Sequence, residues 1–250
     1  MKITIHADRP AMGGAAAAEA ATILRHTLAE RGRATVVVAT GTSQLEVLAA
    51  FTTADLAWER VEFFHLDEYC GLPAGHPASF RRYLRERFLD LLPRRPAAFH
   101  WIEAECTAED ECRRLAKLVP PGDFDLVLCG IGENAHLAFN DPPADFDAAD
   151  AYRVVALDEA CRRQQVGEGW FATLDDVPTQ AISMSIPRIL AARTIISSVP
   201  DARKAAAVRD SVRGPVTPHV PASILQRHAD CRLHVDRAAA ALLDRPLTAE

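Results

Sequence analysis

Short apolar runs alternate with helical patterns along most of the chain. Valine-rich runs such as residues 34–39 are typical of strands that are buried on both faces. The predicted strands cover residues 2–7, 34–39, 61–66, 98–102, 126–129, 152–157, 181–186, 194–199 and 232–235. The predicted helices cover residues 14–31, 44–51, 80–92, 107–118, 158–166, 202–212 and 221–225, and an alanine-rich helix closes the chain. A further short helix is expected directly after the strand at 181–186.

The alternation of strands and helices predicts the fold class. Parallel strands need crossover connections, and helices supply them. We therefore expect one α/β domain over residues 1–250, with an open, mostly parallel, doubly wound sheet and helices on both faces. The chain has no internal repeat, low-complexity linker or composition break that would favour a second domain.

Polar side chains follow four of the apolar runs at the point where each strand ends. Ligands of open parallel sheets bind outside the carboxyl ends of the strands, so these side chains are candidates for one shared site. Each could instead be an ordinary turn or cap residue, but four such groups together favour a site. They are Thr40, Gly41, Thr42 and Ser43; Asp67 and Glu68; Asn134, His136 and Asp141; and Arg203 and Lys204.

The residue types in these groups indicate proton transfer on a phosphorylated sugar. Hydroxyls and free N–H groups at a helix start suit a phosphate, and Lys204 offers a cation. Asp67, next to a buried strand, is a candidate general base. His136 and Asp141 form a candidate acid/base pair that Asn134 could orient, after a turn that Gly130 and Gly132 allow.

Composition excludes several function classes. The net charge of −6 argues against nucleic acid as the main partner. No apolar run reaches the length of about 18 residues that a membrane helix needs, and no signal peptide is evident. The six cysteines form no zinc spacing, and we expect a soluble protein of a reducing cytoplasm without a metal. No nucleotide-binding glycine motif follows the first strand.

Several motifs together resemble the glucosamine-6-phosphate deaminase/isomerase family, within the glucosamine-6-phosphate isomerase/6-phosphogluconolactonase superfamily. They are L-D-E-Y at 66–69, G-L-P at 71–73, H-P-A-S-F at 76–80, G-I-G at 130–132 and H-L-A-F-N-D-P at 136–142. T-G-T-S at 40–43, V-P-T-Q-A at 177–181 and K-A at 204–205 extend the match over nearly the whole chain. The fold that this resemblance implies is Rossmann-like.

The resemblance implies an activity and a role for each site residue. The implied reaction converts glucosamine 6-phosphate and water to fructose 6-phosphate and ammonia without a cofactor. Asp67 matches the base that moves a proton between C2 and C1, and His136 matches the residue that assists ring opening, with Asp141 as its acidic partner. Residues 40–43 and Lys204 match phosphate-binding positions. Further support for the site is expected from Glu68, Tyr69 and Gly132.

The chain departs from the family pattern at several positions. Asp141 stands where the family usually has glutamate, and Ala135 where glycine is usual. Thr42 stands where a second glycine is common, and a phosphate-binding arginine has no counterpart because residues 164–171 follow a different pattern. The departures indicate a divergent subgroup that retains the proton-transfer residues and has altered substrate contacts.

Other functions stay open at this stage. The altered contacts are compatible with an isomerase/deaminase or lactonase for a different sugar phosphate or amino sugar. A sugar-phosphate sensor without turnover is a third reading, although a sensor needs neither Asp67 nor His136. The expected partner is a small phosphorylated amino sugar, and the sequence leaves a homo-oligomer open.

Overall fold

The computed structural model describes residues 1–243, and its strands form two sheets. The strands are β1 (Lys2–His6), β2 (Ala34–Val38), β3 (Val61–His65), β4 (Asp67–Tyr69), β5 (Ala98–His100), β6 (Phe124–Cys129), β7 (Tyr152–Ala156), β8 (Gln180–Met184), β9 (Ala192–Val199) and β10 (Cys231–Asp236). The α-helices are α1 (Arg9–Arg31), α2 (Leu45–Thr52), α3 (Phe80–Arg87), α4 (Ala108–Leu118), α5 (Glu159–Gly167), α6 (Ile186–Leu190) and α7 (Ala205–Arg213).

The larger sheet is parallel throughout and has seven strands in the order β1-β10-β9-β6-β2-β3-β5. From β2 the chain adds β3 and β5 on one side, and from β6 it adds β9 and β10 on the other. The direction therefore reverses between β2 and β6, which pair through Val36 and Leu126. Such a reversal opens a crevice at the carboxyl ends of the two strands, where open α/β sheets bind ligands.

Apolar layers cover both faces of this sheet. Val36 and Phe63 point into one layer, with Leu24 of α1 and Phe51 of α2. The alternate side chains Val37, Phe64 and Val127 point into the other layer, which α4, α6 and α7 cover. Because successive side chains of a strand point to opposite faces, the same apolar run serves both layers. This arrangement confirms the predicted mostly parallel sheet with helices on both faces.

A second, antiparallel sheet of three strands in the order β4-β8-β7 was not predicted. The chain leaves the large sheet after β3, and Asp67, Glu68 and Tyr69 become a short strand rather than a loop. Asp67 pairs with Ser183 of β8. The small sheet therefore places the L-D-E-Y motif at the edge of the crevice.

Helix boundaries follow local capping. Helix α1 begins earlier than expected because Asp8 accepts a hydrogen bond from the N–H of Ala11, and it ends as predicted at Gly32, whose φ is +72°. Ser79 caps α3 as predicted, but α3 ends at Arg87 and a 3₁₀ turn follows. The predicted helix at 202–212 begins with a 3₁₀ turn, Ala202–Lys204, and the short helix near 221–225 is a 3₁₀ helix, Pro221–Arg227.

The prediction of an alanine-rich closing helix is wrong for the described residues after β10. Residues 237–242 form turns, in which the N–H of Ala240 bonds to the carbonyl of Asp236. Residues 244–250, on which the rest of that prediction falls, lie outside the described residues. Over residues 1–243, none of the helices has the length and apolarity that crossing a membrane would require.

Candidate active site

The loop after β2 reaches the crevice with its hydroxyls and N–H groups. Gly41 has a φ of +91°, a backbone conformation that favours glycine, and a 3₁₀ turn, Thr42–Gln44, leads from it into α2. The hydroxyl of Tyr83 donates to the Gly41 carbonyl at 2.9 Å and so ties the loop to α3. Residues 40–43 all line the pocket in the crevice, at the start of a helix as predicted.

Asp67 lines the same pocket from β4 and is 7% exposed. Burial, followed by the charge of neighbouring Glu68, raises the pKa of its carboxyl group well above the ordinary value. None of the described residues donates a side-chain hydrogen bond that would oppose this effect. The backbone carbonyl of Asp67 is fixed, since Nδ1 of the buried His65 lies 3.0 Å from it. A carboxyl group of this kind is suited to accept a proton.

Glu68, in contrast, does not line the pocket, and its role is structural. Its carboxylate accepts hydrogen bonds from the hydroxyl of Ser79 at 2.8 Å and from the N–H groups of Phe80 at 3.1 Å and Arg81 at 3.0 Å. These are free donors at the start of α3, which a carboxylate satisfies. The Nε atom of Arg81 adds an ion pair at 3.3 Å. Glu68 therefore anchors α3 against β4 rather than contacting a ligand.

Tyr69 also lies outside the pocket lining and acts through a neighbour. Its hydroxyl donates to Oε1 of Gln165 at 2.7 Å, and Gln165 does line the pocket. The phenol ring packs against Phe80 and Phe139. Tyr69 thus supports the pocket indirectly, by holding Gln165 in place.

His136 and Asp141 lie together as predicted. Nδ1 of His136 is 3.1 Å from Oδ1 of Asp141, and Nδ2 of Asn134 donates to that same oxygen at 3.0 Å. The N–H of Asp158 donates to Oδ2 of Asp141 at 3.1 Å. Burial alone would raise the pKa of Asp141, but these hydrogen bonds, with that of His136 first among them, lower it overall. The carboxylate of Asp141 thereby fixes the orientation of the imidazole.

Only His136 of this network lines the pocket, while Asn134 and Asp141 stand behind it. Gly132 allows the imidazole to lie where it does, since a Cβ atom at position 132 would be 2.3 Å from Nε2 of His136. Ala135 has a φ of +65°, so the alanine in the expected glycine position adopts the left-handed conformation. Such a conformation costs a non-glycine residue roughly 1–2 kcal/mol, and the surrounding turn maintains it.

Lys204 lines the pocket from the turn before α7 and is 4% exposed. Burial lowers the pKa of its ammonium group, and the carboxylate of Glu168 opposes that effect. Arg203, grouped with Lys204 in the sequence, does not line the pocket. It is instead paired with Asp201 at 3.2 Å and with Glu133 at 3.5 Å.

Three polar residues of the pocket lining were not predicted from the sequence, and all lie on α5 or directly after it. They are Gln164, Gln165 and Glu168. The sequence feature that could have indicated them is a pair of glutamines followed one helical turn later by a glutamate, so that Gln164 and Glu168 share one face of the helix. This feature lies in the segment 164–171, which departs from the family pattern. The structure thus places a different set of polar groups where the departure occurs.

One group of residues in the described part of the chain has the geometry of a metal site. Ligand atoms of His136, Asp141 and Cys161 lie within 4.8 Å of one another. Burial raises the pKa of the Cys161 thiol, so its ionised, metal-binding form is disfavoured. Nδ1 of His136 and Oδ1 of Asp141 already face each other at hydrogen-bond distance, which fits a proton-transfer pair better than a metal centre.

Comparison with known proteins gives relatives that match most or all of the chain. A glucosamine-6-phosphate deaminase of Streptococcus pneumoniae (strain Hungary19A-6) is 36% identical over 245 residues, which cover 98% of this chain and 100% of that protein. A glucosamine-6-phosphate deaminase of Exiguobacterium sibiricum is 38% identical over 211 residues, which cover 84% of this chain and 81% of that protein.

Solved structures agree with the sequence relatives. A monomeric glucosamine-6-phosphate deaminase is similar with a TM-score of 0.89 and 31% identity, covering 97% of this chain and 100% of that one. A 6-phosphogluconolactonase of Trypanosoma brucei has a TM-score of 0.79 at 18% identity, covering 97% of this chain and 98% of that one, a likeness of fold alone. A family model matches residues 7–234. The chain therefore belongs to the family of glucosamine-6-phosphate isomerases/6-phosphogluconolactonase.

Proposed function

We propose that this protein is a glucosamine-6-phosphate deaminase, which converts glucosamine 6-phosphate and water to fructose 6-phosphate and ammonia. One observation carries the proposal: Asp67 and His136 line the same pocket as residues 40–43 and Lys204. A proton acceptor, an acid/base group and an anion-binding end then meet one small ligand. The full-length similarity to deaminases gives the substrate class.

The phosphate binds at the loop of residues 40–43 and at Lys204. N–H groups at the start of α2 and the hydroxyls of Thr40, Thr42 and Ser43 supply hydrogen bonds, and the ammonium of Lys204 supplies positive charge. This end of the pocket fixes the sugar so that its other end reaches His136 and Asp67. Positioning of this kind is itself a large part of the rate enhancement.

His136 opens the sugar ring. Its Nδ1 is held by Asp141, which leaves Nε2 as the ring nitrogen available to the ligand. His136 accepts the proton of the anomeric hydroxyl and returns a proton to the ring oxygen, so that the C1–O5 bond breaks and an aldehyde forms. The ionised Asp141 stabilises the imidazolium that exists between these two transfers.

Asp67 then moves a proton between neighbouring carbons. Its carboxylate takes the proton from C2 of the open-chain sugar, and the resulting enolamine receives a proton at C1. The product is an imine at C2, which water hydrolyses to the ketone and ammonia. The raised pKa of Asp67 suits this role, since a more basic carboxylate is a better acceptor for a carbon-bound proton.

The test is ammonia release from purified protein with glucosamine 6-phosphate, with fructose 6-phosphate measured in parallel. Asp67→Asn is expected to abolish turnover and leave ligand binding measurable, because it removes the base and changes the shape little. Glu30→Gln is the matched control, since it removes an exposed carboxylate of α1 that does not line the pocket. Release that is absent from folded protein, or that persists in Asp67→Asn, contradicts the proposal.

A second candidate substrate is a different amino sugar or amino-sugar phosphate. The observation that favours it is the presence of Glu168 and Gln164 in the pocket lining, within the segment that departs from the family pattern. Hydrogen-bonding groups in a pocket discriminate between sugars that differ at one hydroxyl. A panel that compares kcat/KM for glucosamine 6-phosphate, galactosamine 6-phosphate and free glucosamine separates the two. A markedly higher value for either of the last two would move the assignment to that sugar.

The setting of the reaction is also a proposal. We infer a cytoplasmic hydrolase of N-acetylglucosamine catabolism, because its substrate carries a phosphate and its six cysteines are free thiols over the described residues. No cofactor takes part in the steps above. We treat residues 1–250 as one domain, since β1 and β10, from opposite ends of the chain, are neighbours in one sheet. A homo-oligomer stays a prediction, to be tested by mass measurement in solution.

A further inference from the structure

Glu168 presents a fixed carboxylate to the pocket. Nε2 of Gln164 donates to its Oε1 at 2.8 Å, and Nε1 of Trp170 donates to its Oε2 at 3.1 Å. Its side chain is 4% exposed. A donor at each oxygen holds the carboxylate in this orientation. The pocket therefore contains a fixed carboxylate charge that the proposed reaction does not use.

Lys204 faces this charge. Its Nζ lies 3.8 Å from Oε1 of Glu168, which is within the range of an ion pair but too long for a hydrogen bond. The N–H donors of the ammonium are therefore free for a ligand, although its charge is already balanced. Among the pocket-lining side chains in residues 1–243, Lys204 is the only lysine or arginine.

We propose that Glu168 is a specificity-determining residue that competes with the phosphate of a ligand for Lys204. A phosphate that binds the ammonium comes close to a carboxylate that cannot move, and like charges repel strongly in a buried site. The repulsion grows with the charge of the ligand, so a dianion is weakened more than a monoanion. The inference rests on the proposed function only in assigning this end of the pocket to phosphate.

This competition changes which part of the ligand supplies the binding energy. With Lys204 neutralised, the phosphate is held mainly by the N–H groups and hydroxyls of residues 40–43. Free phosphate then binds weakly, and a sugar phosphate needs the contacts of its sugar as well. Glu168 in this way lowers the affinity for any phosphate ligand, so that only a ligand with further contacts to the pocket binds tightly.

The test measures the Kd of inorganic phosphate by calorimetry at pH 8, where the ion is mostly a dianion. Glu168→Gln keeps the size of the side chain and removes its charge. We expect its Kd to fall about tenfold, which corresponds to about 1.4 kcal/mol. Glu30→Gln removes the same charge from an exposed position on α1, outside the pocket lining, and is expected to stay within about twofold of the wild type. An unchanged or higher Kd in Glu168→Gln overturns the proposal.

Kinetics separate this role from a merely structural one. With glucosamine 6-phosphate, Glu168→Gln is expected to lower KM and keep kcat, whereas a distorted pocket would lower kcat. If Glu168→Gln does not fold, Glu168→Asp is the second variant, because its side chain is one methylene shorter and moves the charge away from Lys204. Tighter phosphate binding by Glu168→Asp supports the proposal, and equal or weaker binding refutes it. Absence of ammonia release from the wild type would refute the proposed function, while the phosphate titration would still test Glu168.

Discussion

A methyl group at position 132 is expected to displace the imidazole of His136. The Cβ atom of alanine would lie 2.3 Å from Cε1 and Nε2 of His136 and 2.4 Å from Cδ2. Gly132 cannot easily move away, because its N–H bonds to the His136 carbonyl at 3.0 Å and its carbonyl accepts from the N–H of Ala135 at 3.0 Å. The imidazole must therefore give way rather than the turn.

The size of the effect follows from these distances. Nonbonded carbon atoms are at their optimum about 3.5 Å apart or more, so the ring must move by roughly 1 Å. Such a shift breaks the contact between Nδ1 and Asp141, which is 3.1 Å long in the native site. A displacement of about 1 Å at a reacting group costs on the order of 100-fold in rate, or about 2.7 kcal/mol.

The assay is kcat for ammonia release in Gly132→Ala, with Gly14→Ala as the control. Gly14 is exposed on α1, and an added Cβ would have no neighbour within 4 Å. The control is expected to keep its rate and to gain up to about 1 kcal/mol of stability, because alanine favours a helix. A folded Gly132→Ala enzyme with a rate within about threefold of the wild type would refute the claim that His136 must occupy its observed position.

Three further outcomes are expected. His136→Gln loses much of the rate, but less for a substrate supplied in open-chain form; equal losses for both forms would exclude a role in ring opening. Asp67→Asn is expected to raise Tm at pH 7, because the raised pKa of Asp67 in the folded state makes its ionisation destabilising. The gain in Tm disappears below about pH 4, where aspartate is protonated in the unfolded state as well. A gain that persists at pH 3 would point to another cause. Glu68→Ala lowers stability by about 1–3 kcal/mol, since the buried donors at the start of α3 lose their acceptor, while Arg81 keeps its ion pair with Glu105. Urea unfolding measures the loss, and an unchanged stability would contradict the anchoring role.

Every predicted strand is present in the fold because each carries its own signal. In the runs around Val36, Phe63 and Val127, side chains that point to either face of the strand are apolar, which is the pattern of a sheet covered by helices on both faces. The pairing of β4 with β8 depends on residues more than 100 positions apart, and no local pattern encodes it. The closing helix failed for a related reason: alanine favours a helix, but the turns after β10 are set by contacts such as that of the Ala239 N–H with Asp236.

The sequence predicted those pocket residues that directly follow a strand. Residues 40–43, Asp67, His136 and Lys204 each follow a strand, and parallel strands bring their carboxyl ends to one edge. Gln165 lies on α5 and Glu168 directly after it, and α5 follows β7, a strand of the small sheet. Since that sheet was not predicted, nothing in the sequence placed this helix over the crevice, and the effect of the altered segment 164–171 became visible only in three dimensions.

The L-D-E-Y motif illustrates why the finer roles needed the structure. Asp67, Glu68 and Tyr69 form an extended strand, in which successive side chains point to opposite sides. Asp67 enters the pocket and Tyr69 reaches Gln165 beside it, whereas Glu68 points to the start of α3. Two adjacent buried carboxylates thus receive different environments. Glu68 is satisfied by several donors and stabilises the fold, whereas Asp67 has no side-chain donor among the described residues, and its pKa is raised well above the ordinary value. The alternation of a strand of three residues separates the structural carboxylate from the proposed catalytic one.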